Sequence, residues 1–144
     1  MKISTRGRYA LRTMIDLSLH REEGLVPLKD VAARQEISLK YLEQIVNTMS
    51  KAGFLQGVRG PQGGYRLARE PEEYNVAEIL QAIEGSLAPV GCLESETNTC
   101  ERCDTCATVD MWEGLYKTVT DYLSGITPQQ LVDKANQAGD QYVI

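Results

Sequence analysis

The sequence predicts a mainly α-helical fold with one small β-hairpin. Apolar residues recur at helical spacing over most of the chain, and two short strand-like segments flank a glycine-rich turn. The 144 residues, 42% hydrophobic and 24% charged, suit one globular domain. No apolar stretch approaches the roughly 20 residues of a membrane helix, and the N-terminus lacks the apolar core of a signal peptide. We therefore expect a cytoplasmic protein.

The first third of the sequence predicts three helices. The first spans about residues 4–20, and the second spans about residues 28–35. After a turn, Ser38 can cap the third helix by accepting a hydrogen bond from an otherwise unpaired backbone amide, and Gly53 ends that helix. The apolar face of the third helix consists of Leu39, Leu42, Ile45, Val46 and Met49.

The second and third helices, with a tight turn between them, fit either a helix-turn-helix or an ordinary helical hairpin. The next segment favours the first, because residues 54–59 and 65–69 predict strands joined by a turn at residues 60–64. A basic hairpin in this position predicts a winged helix-turn-helix, a DNA-binding fold whose recognition helix enters the major groove. The glycines also suggest a phosphate-binding loop, but Gly64-Tyr65-Arg66 lacks the required Gly-Lys-Ser/Thr ending.

The second half of the sequence predicts three elements. Asn75 can cap a core helix, whereas residues 86–105 show no periodicity and predict a polar loop. A long helix then ends at Gly125, and Thr127 with Gln130 opens a last short helix. The long helix either packs on its own domain or pairs two protomers, and we prefer dimerisation because a dimer gains affinity and register on DNA. Its apolar stripe consists of Val109, Trp112, Tyr116, Val119 and Leu123, widened by Leu115 and Tyr122.

Charge divides the chain into a basic and an acidic part, although the net charge is -5. Residues 1–69 contain 12 basic and 6 acidic side chains, and residues 70–144 contain 3 basic and 14 acidic ones. This asymmetry indicates a polyanion-binding module joined to a separate region. We expect a winged helix-turn-helix DNA-binding region at 1–85, a cysteine-rich cluster-binding loop at 86–106, and a dimerisation helix with a C-terminal helix at 107–144.

All four cysteines lie within this loop, at Cys92, Cys100, Cys103 and Cys106. In a reducing compartment, such a cluster indicates metal or redox chemistry rather than a disulfide framework. Thiolates suit an iron-sulfur cluster or zinc, although zinc usually uses two close pairs separated by a longer span. Closely spaced thiols also suit an oxidation switch.

Three segments carry a family resemblance. Residues 1–10 (MKISTRGRYA), 37–44 (ISLKYLEQ) and 58–65 (VRGPQGGY) resemble the IscR, NsrR and CymR family of bacterial winged-helix regulators. The resemblance covers nearly the whole chain. It implies a homodimer on double-stranded DNA with a pseudo-palindromic operator, and no enzymatic activity. The sequence agrees with the last point, since it has one histidine and no nucleophile-base pair.

The resemblance to IscR-type members implies a two-iron, two-sulfur (2Fe-2S) cluster held by three cysteines and one histidine. Cys92, Cys100 and Cys106 match the three thiolate positions. Val109 occupies the histidine position and cannot ligate. Cys103 is additional here, and we expect it to be the fourth ligand. The implied function is control of iron-sulfur cluster biogenesis genes according to cluster status.

Other donors and relatives are weaker matches. His20 lies in the first predicted helix, where we expect an exposed or core residue rather than a ligand. Nitric-oxide-sensing members use an acidic residue near the N-terminus, but residues 5–8 read Thr-Arg-Gly-Arg. Regulators of cysteine metabolism resemble both ends of the chain, including residues 142–144, and imply a metal-free or thiol-controlled regulator with a possible protein partner. The remaining oxygen donors near the cysteines are Glu101, Asp104 and Asp110.

The recognition helix and the wing supply the DNA-binding candidates. Arg59, with Gly60 beside it, can read guanine or enter a narrow minor groove. Glu43 is repelled by phosphates unless it accepts a hydrogen bond from cytosine, so we expect it to select among operators, as the resemblance to IscR-like proteins also implies. The residues that can contact phosphates or base edges are Ser38, Lys40, Tyr41 and Gln44.

Overall fold

A computed structural model describes residues 2–141, within which the chain forms six α-helices and one two-stranded hairpin. Residues 142–144, part of the resemblance to regulators of cysteine metabolism, lie outside the described residues. The architecture confirms the predicted fold class. The elements are α1 (Thr5–Leu19), α2 (Leu28–Gln35), α3 (Leu39–Lys51), β1 (Leu55–Val58), β2 (Gly64–Leu67), α4 (Val76–Glu84), α5 (Val109–Ser124) and α6 (Pro128–Gln141).

The predicted helix caps are present. The Ser38 hydroxyl accepts from the Tyr41 amide at 3.2 Å, and the Asn75 side chain accepts from the Glu78 amide at 2.9 Å. Thr127 and Gln130 form the reciprocal box, with N···O distances of 3.1 and 3.2 Å. These contacts satisfy amides at the helix N-termini that have no partner within the helix.

The end of α3 is a left-handed turn at Gly53, where φ is 81°. The Phe54 amide donates to the Met49 carbonyl and the Gly53 amide to the Ser50 carbonyl, both at 3.0 Å. This pair of bonds is a Schellman motif, which glycine permits because it has no Cβ. Gly53 therefore turns the chain from α3 directly into the wing.

Helix α1 is central to the fold, since it packs against α2, α3, α4 and α6. Two predictions about the helices need correction. Leu39 was expected on the buried face of α3 but is 42% exposed, because it faces the wing rather than the core. Helix α6 is longer than the short helix that the sequence predicts. Its 14 residues extend along α1. The largest core side chains that are almost fully buried include Met14, Leu17, Leu42, Ile45, Met49, Tyr74 and Ile79.

The hairpin is antiparallel, with Leu55 opposite Leu67 and Val58 opposite Gly64. The segment before α2 also pairs with β2, because Val26 and Tyr65 exchange two backbone hydrogen bonds of 2.9 Å. The wing is thereby attached to the helix-turn-helix at its base. None of the described helices is long and apolar enough to cross a membrane.

Candidate DNA interface and cysteine cavity

The two long faces of α3 differ in exposure. Leu42, Ile45, Val46 and Met49 are fully buried against the core. At 100° per residue, the opposite face is continuous and solvent-exposed. It includes Asn47 and Lys51, which were not among the predicted site residues, although their polar character and helical position already placed them away from the core. The exposed face consists of Lys40, Glu43, Gln44, Asn47 and Lys51.

A groove of about 730 Å³ separates α3 from the wing. It brings together three predicted residues, Glu43 from α3 and Arg59 and Gly60 from the hairpin turn. Lys29 and Leu39 also line the groove, and the sequence analysis missed both. Lys29 had a usable signal, since it is a basic residue in the first turn of α2, but an apolar residue such as Leu39 reads as core until its neighbours are known.

The other predicted α3 residues do not line this groove. Lys40 and Gln44 are exposed. Tyr41 is half-buried, with its ring 5.8 Å from that of Tyr9 at an angle of 75°. Because the Ser38 hydroxyl oxygen caps the helix, its proton remains the group available for donation to a phosphate.

The loop between α4 and α5 folds its cysteines around one cavity of about 170 Å³. Cys92, Cys100, Cys103 and Cys106 all line it, and all four are free thiols. The sequence-predicted set is therefore brought together by the loop. The cavity is closed on the α5 side by Val109 and Trp112, and its remaining lining residues are Val90, Asn98 and Thr108.

The thiols differ in their surroundings. A hydrogen-bond contact of 3.4 Å with the Thr108 hydroxyl lowers the pKa of Cys106 below its ordinary value. Partial burial, with the Asp104 carboxylate 3.7 Å away, raises the pKa of Cys103. A lowered pKa favours the thiolate form, so the surroundings favour the thiolate at Cys106 more than at Cys103.

Four cysteine sulfurs, which are soft donors, line one cavity. The lining residues are therefore of the type that holds an iron-sulfur cluster or zinc. Val109 contributes only an apolar wall, and Glu101, Asp104 and Asp110 do not line the cavity. Within residues 2–141, no three His, Cys, Asp or Glu side chains converge closely enough to hold a metal ion. Holding a group would therefore require the loop to draw its thiols inward.

His20 lies apart from this set. It caps the end of α1, where its Nδ1 is 2.9 Å from the Asp16 carbonyl oxygen. His20 does not line the cysteine cavity.

Comparison with known proteins decides the family. The model of the Rrf2 family, described as iron-dependent transcriptional regulators, matches residues 3–134. The chain belongs to the Rrf2 family. IscR of Pectobacterium atrosepticum is 40% identical over 133 residues, covering 92% of this chain and 80% of the relative. An HTH-type transcriptional regulator of Neisseria meningitidis is 38% identical over 144 residues, covering 100% and 96%.

Solved structures of Rrf2-type regulators share the fold. T. potens IscR superposes with a TM-score of 0.77 at 38% identity, covering 96% of this chain and 90% of the other. CymR, the global cysteine regulator of B. subtilis, superposes with a TM-score of 0.76 at 33% identity, covering 93% and 98%. The resemblance found in the sequence is confirmed, and these relatives are transcription regulators rather than enzymes.

Helix α5 of this Rrf2 regulator exposes apolar side chains to solvent. No residue of α5 is buried, although its stripe is apolar. Met111 is 54% exposed, Leu115 39% and Tyr122 69%. Tyr116 and Leu123 pack on the α4 side, so the stripe is only partly covered within one chain. An apolar face of this kind suits contact with a second protomer.

Proposed function

We propose that this Rrf2-family protein is a homodimeric DNA-binding regulator that senses iron-sulfur cluster status and controls iron-sulfur cluster biogenesis genes. The single observation that carries the sensing proposal is the shared cavity of all four cysteines, at the junction of the loop with α5. We divide the chain into a DNA-binding region at 1–85, a cluster-binding loop at 86–106 and a dimerisation region at 107–144.

The proposed ligands of a 2Fe-2S cluster are Cys92, Cys100, Cys106 and Cys103. Cys103 lines the same cavity as the other three, whereas Val109 offers no donor atom at the position where IscR-like proteins have histidine. Such a cluster, when bound, supplies a redox-active group that is lost under oxidative stress. The protein's own contribution is to hold four thiolates in place and to exclude water with Trp112 and Val90.

The proposed DNA contacts come from α3 and the wing. Two α3 helices of a dimer enter successive major grooves about 34 Å apart, so the operator is pseudo-palindromic. Arg59 and Gly60 reach the backbone or minor groove, and Glu43, facing Arg59 across the groove, selects among operators. The remaining contacts are assigned to Ser38, Lys40, Tyr41 and Gln44.

The loop is well placed to influence DNA binding. It begins directly after α4, a core helix of the DNA-binding region, and ends at α5, the proposed dimer helix. Moving the thiols inward changes the course of the loop between α4 and α5. It thereby changes the relative orientation of the two DNA-binding regions in the dimer. The loop can change DNA affinity only to the extent that its two states bind DNA with different affinities.

The first experiment is anaerobic purification followed by visible absorption and by iron, sulfide and zinc analysis. We expect a brown protein that contains sulfide. Cys103→Ala should lose the cluster more readily, and Val109→His in that background should restore it by supplying a donor at the adjacent helix start. A colourless protein with stoichiometric zinc, or with no metal after reconstitution, would overturn the cluster proposal and leave DNA binding untouched.

DNA binding is tested by operator affinity at one fixed salt concentration, with and without cluster. Equal affinities in both states for every operator class would remove the sensing proposal. Glu43→Ala should broaden the set of bound sequences, whereas Asp133→Ala, which removes an exposed carboxylate on α6 outside the DNA-binding region, serves as the charge-matched control. Unchanged discrimination by Glu43→Ala would contradict its selector role.

The second candidate is a metal-free or thiol-controlled regulator of cysteine metabolism. The match to B. subtilis CymR and the lowered pKa of Cys106 favour it. It predicts a metal-free protein whose DNA affinity depends on thiol oxidation or on a partner protein. The same purification, followed by DNA titration with and without a thiol oxidant, separates the two candidates.

A further inference from the structure

The N-terminal half of α1 carries a concentration of positive charge. Residues 2–15 contain Lys2, Arg6, Arg8 and Arg12 and no acidic residue, in a chain whose net charge is -5. Cations near a helix N-terminus oppose the helix dipole, so these residues do not stabilise the helix on which they lie. They are therefore candidates for binding an external anion.

Contacts place this charge beside the recognition helix. The Tyr9 ring packs on Tyr41, and the Arg6 guanidinium donates to the Thr48 hydroxyl at 3.4 Å. Tyr41 and Thr48 lie seven residues apart, on one flank of α3. α1 therefore runs along one edge of the exposed face of α3.

The wing lies along the opposite edge of that face. Leu39 and Glu43, which line the wing groove, form the other flank of α3. The exposed residues Lys40, Gln44 and Asn47 lie between the two flanks. A duplex seated on this face meets the wing on one side and the N-terminal half of α1 on the other.

The α1 arginines have no acidic partner in the part of the chain that the structure describes. Within the described part of the chain, no carboxylate forms a salt bridge with Arg6, Arg8 or Arg12. The basic side chains that do form one there include Arg21, Arg34, Arg69 and Lys117.

The three arginines differ in how they are held. Arg12 donates to the Gln35 side chain at 3.1 Å and lies 5.1 Å above the Tyr9 ring, so it positions that ring. Arg8 is exposed, and its guanidinium donates to the Thr5 hydroxyl at 3.1 Å. Arg8 is the exposed member of the three and keeps donors free for a direct contact.

We propose that the basic N-terminal half of α1 is a second DNA-binding surface, which binds the phosphates of the strand beside the major groove occupied by α3. Arg8 makes the direct contact. Arg6 and Arg12 contribute positive charge, Arg6 while bonded to Thr48 and Arg12 while packed over the Tyr9 ring. This surface contacts phosphates and no base edges, so it adds affinity without sequence preference. This inference rests on the proposed DNA binding and extends it to a helix outside the helix-turn-helix and wing.

The test uses the full-length protein and two DNA probes. One is a duplex that the wild-type protein selects from a random-sequence library, and the other is a scrambled duplex of the same composition. Affinities of wild type, Arg8→Gln, Arg8→Lys and Lys134→Gln are measured across a salt series. Lys134 is an exposed cation on α6 and serves as the charge-matched control.

We expect Arg8→Gln to weaken binding to both duplexes by the same factor, roughly threefold to tenfold at low salt, and to reduce the salt slope by about 1 per protomer. Arg8→Lys should keep the wild-type slope, since a phosphate contact needs charge rather than a planar fork. Lys134→Gln should bind like wild type.

Wild-type affinity and slope in Arg8→Gln would overturn the inference and leave the proposed function standing. Loss confined to the selected duplex would also overturn it, because that pattern indicates base readout. If the wild-type protein selects no duplex and prefers neither probe, the proposed function itself fails. Thermal unfolding of each variant confirms that the exposed substitutions leave the fold intact.

Discussion

The carboxylate of Glu84 accepts two hydrogen bonds from Ser4, one from the backbone amide at 3.0 Å and one from the hydroxyl at 2.6 Å. The Ser4 hydroxyl oxygen in turn accepts from the Gly7 amide at 3.1 Å and so caps α1. Glu84 is the last residue of α4, directly before the segment that carries the cysteines. These hydrogen bonds therefore join the N-terminus of α1 to the start of the cysteine loop.

The first prediction concerns this link. Glu84→Ala should lower the free energy of unfolding by about 1–3 kcal/mol, because it leaves two partly buried donors without a partner. Glu84→Gln keeps one carbonyl oxygen as acceptor and should cost less. Urea unfolding measures both changes, and equal losses for the two variants would contradict a role for the acceptor.

The second prediction concerns Gly7, which lies against the same carboxylate. A Cβ at Gly7 would be 2.4 Å from Glu84 Oε1, so Gly7→Ala should destabilise the wild-type protein. Alanine is otherwise favoured over glycine inside a helix by about 1 kcal/mol. In a Glu84→Ala background, Gly7→Ala should therefore be less harmful or stabilising. A double-mutant cycle by urea unfolding checks this sign change, and additive effects would show that the carboxylate is not the obstacle.

The third prediction concerns the ion pair between α1 and α2, whose carboxylate is buried. The Asp16 side chain is 1% exposed and accepts from the Arg34 guanidinium at 2.7 and 3.0 Å and from Gln35 at 2.9 Å. Its hydrogen bond with Asp16 raises the pKa of Arg34. Asp16→Ala should cost about 1.5–3 kcal/mol, because it removes hydrogen bonds to a buried carboxylate while the more exposed Arg34 guanidinium returns to water. Thermal unfolding measures the loss.

The exposed pair Lys117–Asp121 on α5 is the matched control for the ion-pair prediction. Asp121→Ala should change the free energy of unfolding by no more than about 1 kcal/mol, since both side chains are in solvent. Similar costs for the two substitutions would show that burial does not decide the value of the Asp16 pair.

The fourth prediction concerns pH. The Tyr74 hydroxyl donates to the Phe54 carbonyl at 2.7 Å and accepts from the Arg69 amide at 2.9 Å. Burial raises the pKa of Tyr74 above its ordinary value, so the neutral form is favoured in the folded state. Its contribution to stability is complete below about pH 10 and is lost as the pH rises through the folded-state pKa.

Comparison of wild type with Tyr74→Phe isolates this contribution. The variant should be less stable by about 1–3 kcal/mol near neutral pH, and the gap should close above about pH 10. Tyr122→Phe, at a site that is 69% exposed, is the control and should show no such pattern. A gap that stays constant or widens in alkaline urea titrations would contradict the assignment.

The fifth prediction concerns the base of the wing. A Cβ at Gly64 would lie 2.5 Å from the Val26 carbonyl oxygen and 2.6 Å from its carbon, both backbone atoms. Gly64→Ala should therefore separate Val26 from Tyr65 and release the wing from the helix-turn-helix. We expect faster amide hydrogen exchange at Tyr65 and weaker DNA binding. Gly139→Ala, at a site with open space around it, should change neither, and unaltered exchange in Gly64→Ala would refute the role of this close approach.

How far the sequence predicts the site differs from residue to residue. The four cysteines were recognisable as a set from their spacing, and Glu43 and Arg59 from their positions on the helix and the turn. Leu39 was not recognisable, because its place in the groove depends on how the wing packs back against α2 and α3, whereas Lys29 offered a signal as a basic residue in the first turn of α2. The Ser4–Glu84 link joins residues 80 positions apart, which no local pattern reports.

The sequence by itself determined the helices, their caps and the hairpin, because these depend on periodicity and on side chains that bond to nearby amides, as Ser38 and Asn75 do. Only the tertiary structure decided which surfaces meet. Burial of α1 among four other helices places Arg6 and Tyr9 against the recognition helix, and packing of α5 on the loop brings Cys103 into the cavity of the other thiols. Such contacts join segments distant in sequence, and the packing of the whole core selects them.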